Sequence, residues 1–292
     1  MYPKQWNHPF IHPAVIGGSP GVAGKPTRTS GGSTPRVTAG VGPVLVGSDG
    51  GVFAIGSAVF PGSLPALGIH VDNIVGMADD WLVGSDGSVY AINGAPFYGS
   101  LPGLGIHVND IVGIAAGREG EGYYLVGADG GVFGFGPGAA FAGSLPATGI
   151  HVHNVVGIMA LGLGYRLIGS DGGVFSFGLY SAIDGPLLFK GSLPGLGIHV
   201  DDIVGAAPHF GDGYWLVGND GSVFAFGTAQ FAGSLSSLGE NKNDKVGISS
   251  SGIGQYQFVG ADGGIFSFGG APFFGSLPAS DISVNDIVGV QQ

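Results

Sequence analysis

An all-β fold built from six repeated units is predicted by three features of this sequence. A seven-residue phrase, GSDGGVF at Gly47–Phe53, returns as GSDGSVY, GADGGVF, GSDGGVF, GNDGSVF and GADGGIF, starting at Gly84, Gly127, Gly169, Gly218 and Gly260. Around each phrase lie short β-branched or aromatic segments bounded by Gly, Pro, Asn or Asp, the pattern of strands and turns. The aspartates Asp49, Asp86, Asp129, Asp171, Asp220 and Asp262 are 37, 43, 42, 49 and 42 residues apart, a period that points to stacked or radial repeats.

Each element follows from its residues. In the second copy the segments read IVGMA (Ile74–Ala78), WLVG (Trp81–Gly84), SVYAI (Ser88–Ile92) and PFYGSL (Pro96–Leu101). They predict four strands per unit. The Asp-Gly between the second and third is a hairpin signal, because glycine accepts the positive φ such turns need. In the third segment, pairs such as Phe53/Ile55, Phe133/Phe135 and Phe224/Phe226 lie two apart and share one face, while small residues such as Val52 and Ala54 share the other. Both faces are apolar, so each sheet must be covered on both sides. Four-stranded units near 40 residues, arranged face to face around an axis, satisfy this as a β-propeller.

The ends suggest how such a ring closes. The first copy begins at Val44 without a clear first strand, and the chain ends in a first strand with nothing after it, DIVGV (Asp286–Val290). A six-bladed β-propeller over residues 44–292, closed by its C-terminal strand, is expected. The segment RVTAG (Arg36–Gly40) competes for the same slot. Residues 1–43 are expected to form an extended arm.

Composition limits the function. With 44% hydrophobic and 10% charged residues, the chain is too apolar to be disordered and can bury a core. It has no cysteine, which excludes disulfides and thiolate metal sites. The opening MYPKQWNHPF lacks the basic and apolar regions of a secretory signal, and no stretch reaches the length of a membrane span, so synthesis in the cytoplasm without membrane insertion is expected. The net charge of −11 is uneven. The first 40 residues hold Lys4, Lys25, Arg28 and Arg36 and no acid, while the rest is strongly acidic and is expected to repel nucleic acid.

The run YWLVGNDGSVFAFG (Tyr214–Gly227) and the segment APFFGSLP (Ala271–Pro278) resemble a repeat found in actinobacterial surface proteins and in propeller-type minor tail proteins of phages that infect mycobacteria and their relatives. The resemblance covers about residues 44–292. It implies a structural virion component, with a bacterial cell-surface binding module as the alternative, and brings no catalytic residues. The basic, Pro/Gly/Ser-rich leader fits docking to other virion proteins, and the propeller would face a protein or a host-envelope glycan.

The candidate chemistry is sparse. Asp-Gly could ligate calcium, yet the spacing of a calcium loop is absent and the turn accounts for both residues. GIHV places His70, His107, His151 and His199 in four copies. Asn73, Asp110, Asn154, Asp202, Asp244 and Asp286 immediately precede the first strands. These groups could ring a channel mouth and hold a cation, or they could serve their own backbone at the strand entrance. No nucleophile elbow, HExxH or phosphate loop is present, and the GSLP serine recurs as a repeat feature, so an enzyme is not expected and no cofactor is implied.

Two contact regions are expected instead. In the arm, Tyr2, Trp6, Phe10 and Ile11 read as plugs for pockets on a neighbour, with Lys4, Lys25, Arg28 and Arg36 pairing with acids. In the fourth copy an insert, LYSAIDGPLLFK (Leu179–Lys190), offers Leu179, Tyr180, Ile183, Leu187, Leu188 and Phe189 for contact.

Overall fold

The computed structural model describes residues 42–178, 189–209, 213–239 and 242–291. The chain divides into Met1–Thr38 and Ala39–Gln292, and every described residue belongs to the second unit. Residues 1–41 of the expected arm, RVTAG among them, and the insert residues Leu179 to Leu188 lie outside the described residues.

The described residues form six three-stranded antiparallel sheets in a propeller-like arrangement. Sheet 1 holds β1 (Val44–Gly47), β2 (Val52–Ala54) and β18 (Ile287–Gln291), in the order β18-β1-β2. Sheet 2 holds β3 (Ile74–Ala78), β4 (Trp81–Gly84) and β5 (Val89–Ala91). Sheet 3 holds β6 (Ile111–Ala116), β7 (Tyr123–Gly127) and β8 (Val132–Phe135). Sheet 4 holds β9 (Val155–Leu161), β10 (Gly164–Gly169) and β11 (Val174–Gly178). Sheet 5 holds β12 (Ile203–Pro208), β13 (Tyr214–Gly218) and β14 (Val223–Phe226). Sheet 6 holds β15 (Lys245–Gly252), β16 (Gln255–Gly260) and β17 (Ile265–Phe268).

Each Asp-Gly phrase makes the same hairpin. Gly50 N–H donates to the Gly47 carbonyl, and Gly47 N–H donates to the Gly51 carbonyl. Asp49 Oδ1 accepts from Gly51 N–H at 2.6 Å, and Gly50 takes φ +77°. This is a turn followed by a left-handed bulge glycine. The glycine has a second task. A Cβ at Gly50 would lie 2.5 Å from the side chain of Leu64, the fully buried leucine of Gly-Ser-Leu-Pro. Leu64 N–H also donates to the Gly50 carbonyl, and the other five copies repeat the bond. Thus the phrase and the Gly-Ser-Leu motif are two halves of one contact.

The fourth segment differs from expectation. Among the described residues it carries no ladder in any sheet, and the Pro-x-Leu that follows it is a short 3-10 turn, as at Pro65–Leu67 and Pro102–Leu104. Side chains hold it instead. Trp81 Nε1 donates to the Pro96 carbonyl at 2.9 Å, Tyr124 Oη to Ala140 at 3.1 Å, Trp215 Nε1 to Gln230 at 2.8 Å and Gln257 Nε2 to Pro272 at 2.7 Å. The third-strand residue opposite each donor is small: Ala91, Gly134, Ala225 and Ser267. The donor therefore reaches across the third strand and takes the place of a ladder.

Each first strand packs beside the next one: β3 by β6, β6 by β9, β9 by β12, β12 by β15, β15 by β18, and β18 by β3. A Val-Gly-x triplet from each lines a common cavity of about 140 Å³. Backbone hydrogen bonds link the sheets at one end of these strands. Ser48 N–H donates to the Asp286 carbonyl and Ile74 N–H to the Ser48 carbonyl. The pair recurs through Ser85, Ala128, Ser170 and Asn219, and ends with Ala261 N–H to Asp244 and Ile287 N–H to Ala261. The hydrophobic core is divided accordingly into clusters lying between consecutive sheets.

Candidate functional site

The aromatic side chains left in water mark the outer rim. Phe60, Phe97, Phe141, Phe189, Phe231 and Phe273 are 54–59% exposed, one per repeat and each two residues before the glycine of Gly-Ser-Leu. Their flanks vary freely, from Val59 and Pro61 to Gln230 and Ala232. Burial does not require a phenylalanine at these positions. Scattered exposed apolar residues are ordinary; here one aromatic recurs at the same position in all six repeats.

Hydrogen bonds from two sides hold parts of the rim, and at Phe97, Phe141 and Phe231 both are present. On the N-terminal side of Phe97, Phe141, Phe231 and Phe273, the preceding carbonyl accepts from the second strand of its own sheet, as described for Pro96, Ala140, Gln230 and Pro272. On the C-terminal side, a tyrosine of the next sheet takes over. Tyr123 Oη donates to the Gly99 carbonyl at 2.6 Å and accepts from Tyr98 N–H at 3.3 Å. Tyr256 Oη does the same with Gly233 and Ala232, at 2.5 and 3.1 Å. Tyr165 donates to Gly143 and accepts from Ala142, and Tyr214 donates to Gly191. Burial pushes the Tyr165 and Tyr214 phenols up to about 12, so both keep the proton they donate. Tyr165→Phe is expected to lower stability by roughly 1–3 kcal/mol, since the Gly143 carbonyl loses its donor and the Ala142 N–H its acceptor. Thermal unfolding of the variant checks this.

Sheet 4 departs from the pattern. Where sheets 2, 3, 5 and 6 carry Trp81, Tyr124, Trp215 and Gln257, it carries Arg166, fully buried with its guanidinium 5.0 Å from the centre of the Tyr214 ring. This is also the sheet whose repeat holds the insert. Of the contact residues expected there, Phe189 is described, and it joins the rim. The expected arm residues, from Tyr2 to Arg36, lie outside the described residues.

The polar residues that could ring a channel mouth form no metal-holding cluster among the described residues. His70, His107, His151 and His199 are exposed. Each acid or amide before a first strand sits beside the Asp-Gly turn of its own sheet. Asn73 hydrogen-bonds Asp86, and Asp286 and Asp49 flank Gly47. Burial, then the Asp220 carboxylate, pushes the Asp202 carboxyl up. In sheet 6 Lys242 Nζ joins the equivalent pair, 2.9 Å from Asp262 and 3.1 Å from Asp244. Among the described residues, no group of three or more His, Cys, Asp or Glu is arranged to hold a metal. No helix among them is long and apolar enough to cross a membrane.

No protein-family model matches the chain, and no curated protein does. Among solved structures it is similar to the computationally designed Ika8 protein, at 14% identity and TM-score 0.45, covering 82% of this chain and 72% of that one. It is similar to the extracellular domain of the putative one component system BT4673 from B. thetaiotaomicron, at 15% identity and TM-score 0.45. That match covers 77% of this chain and 30% of the other. A third is PorZ, a surface component of the type-IX secretion system of Porphyromonas gingivalis, at 14% identity and TM-score 0.40, covering 77% and 29%. These likenesses assign no activity.

Proposed function

We propose that the six sheets are blades of a closed six-bladed β-propeller, completed by the C-terminal strand, which serves as a non-enzymatic binding scaffold in a phage virion. Closure is supported by the pairing of β18 with β1 and by the backbone bonds that pass from sheet to sheet and return through Asp286 to Ser48. The scaffold role rests on the exposed phenylalanine of every repeat, three of which, Phe97, Phe141 and Phe231, project from a backbone pinned on both sides. A rigid ring carrying one aromatic per blade suits a partner with many equivalent sites, because linked weak contacts multiply in effect. The repeat's resemblance to minor tail proteins carries the virion assignment, with the arm, residues 1–43, docking to other virion proteins.

The exposed aromatic rim also supports a second reading, a carbohydrate- or protein-binding module of an actinobacterial surface. Phage particles assembled with a tagged copy separate the two. The full chain is expected in purified particles, detected by mass spectrometry. The chain lacking Met1–Thr34 is expected to be soluble and stable but absent from particles. A chain with Phe97, Phe141 and Phe231 changed to Ser is expected to be incorporated and to lower host attachment. A full chain missing from particles would sink the virion reading. Equal incorporation of the truncated chain would move docking from the arm to the ring.

A further inference from the structure

We infer that sheet 1 is where the ring opens, and that β18 can leave its own β1 and pair with β1 of a second copy of this chain. The inference rests on the closed-ring reading above.

The junctions between sheets are not equal. Those from sheet 2 to sheet 6 each carry the tyrosine bridge, through Tyr123, Tyr165, Tyr214 and Tyr256. At the two junctions of sheet 1 that position holds Pro43 and Asp80, whose carbonyls accept from Ile55 and Ile92 at the matching place in the ladder. On the partner side of the sheet 1–2 junction, Pro61 replaces the residue that elsewhere offers an N–H, and proline has none.

Packing follows the same division. A Cβ at Gly99, Gly143, Gly191 or Gly233 would lie 2.7–2.9 Å from Phe135, Phe177, Phe226 or Phe268 of the following sheet. At Gly275 the nearest atom, on Ile55, is 3.9 Å away, and at Gly62 nothing lies within 4 Å. The buried residues of the cores on either side of sheet 1 are aliphatic, with aromatics only partly buried against them: Leu45, Ile55, Val259, Ile265, Leu277 and Ile287 on one, Val46, Val52, Leu64, Ile74, Leu82 and Ile92 on the other. The other four cores each bury tyrosine, and three of them phenylalanine or tryptophan beside it within the same contact.

Sheet 1 is also the sheet assembled from both ends of the described unit, so its ladder can part without unfolding a hairpin. Within β18, Ile287 is buried and Val288 to Gln291 are half-buried. A strand from another copy would make identical contacts with β1. The balance between the closed monomer and a strand-exchanged dimer then depends on concentration and on what the connecting segment permits.

Engineered cysteines test this in a chain that has none. Val46 and Gly289 are paired across β1 and β18, and a Cβ at Gly289 would lie 3.4 Å from Val46. The V46C/G289C double variant is expected to form an intrachain disulfide in the monomer; failure to do so overturns the closed ring itself. Single variants V46C and G289C are then mixed at high concentration under mild denaturant, returned to buffer and oxidised. The control is the equivalent pair in sheet 4, I168C and G157C. Interchain V46C–G289C product is expected at roughly ten times the control, the ratio set by the missing hydrogen bonds. If the double variant closes but the mixture yields no more product than the control, the ring is closed and the exchange is wrong. Should a single variant fail to fold, light scattering decides. Wild-type protein after the same cycle is expected to contain a dimer that the intrachain disulfide abolishes, and absence of that dimer overturns the inference.

Discussion

A chain ending at Asn285 is expected to aggregate, or to melt at least about 10 °C below the full protein. The lost residues, Asp286–Gln292, include all of β18. Without it β1 loses its ladder from Val44 to Gly47, and Leu45 and Val259 lose the buried Ile287 between them. The neighbouring strands β3 and β15 each lose the strand that packs beside them. The Ser48 and Ala261 hydrogen bonds to Asp286 and Ile287 go as well. An exposed strand edge adds an aggregation hazard to the lost burial. Scanning calorimetry with light scattering gives the answer, and an unchanged melting temperature would refute the proposed closure.

The second large effect is expected at the contact between the Asp-Gly turn and the buried leucine. Leu145→Ala should cost about 2–5 kcal/mol, because the side chain is fully buried and its neighbours are fixed in rigid turns that cannot collapse onto the space. Gly130→Ala acts on the same contact from the other side. Its Cβ would fall 2.5 Å from Leu145 at a backbone φ of +77°, so the steric clash and the strained backbone add. The two variants should not be additive, since one removes the side chain that the other strikes. Denaturant titration of the two single variants and the double variant measures this. A double variant as destabilised as the sum of the singles would show that the two halves do not act on one contact.

Much of this architecture is legible in the sequence. The Asp-Gly phrase gives the hairpin and its left-handed glycine, and the β-branched triplets give the first strands. The fourth segment is not a strand of the described sheets, and the reason the sequence does not show this is physical. Short apolar residues between Gly and Pro look like a strand whether a ladder or a side chain holds the backbone. Trp81 and Gln257 share no chemistry beyond one N–H donor, so their common role is visible only when the Pro96 and Pro272 carbonyls stand before them. The exposure of Phe97 and its equivalents is likewise not legible, since nothing in the segment distinguishes an aromatic turned to water from one turned inward. The tyrosine bridges join residues 22 to 25 apart across a sheet boundary, a relation that periodicity along one repeat does not reveal. The acids beside the first strands were seen, but their placement by their own turns depends on the path of the loop.

The pairing of β1 with β18 also gives the molecule a direction-dependent mechanical strength. Val44, where the chain enters the first sheet, lies opposite Gln291, where the last strand ends, so tension applied between the two ends of the ring acts on neighbouring points of one ladder. Its hydrogen bonds then meet the load one after another, beginning at that pair, and the strands peel apart at low force. Tension applied between Val44 and Ile287, at opposite ends of the same ladder, runs along the strands instead. There the bonds between β1 and β18 meet it side by side and must break together. The ladder of sheet 1 resists a pull along its strands and yields to one that separates Val44 from Gln291.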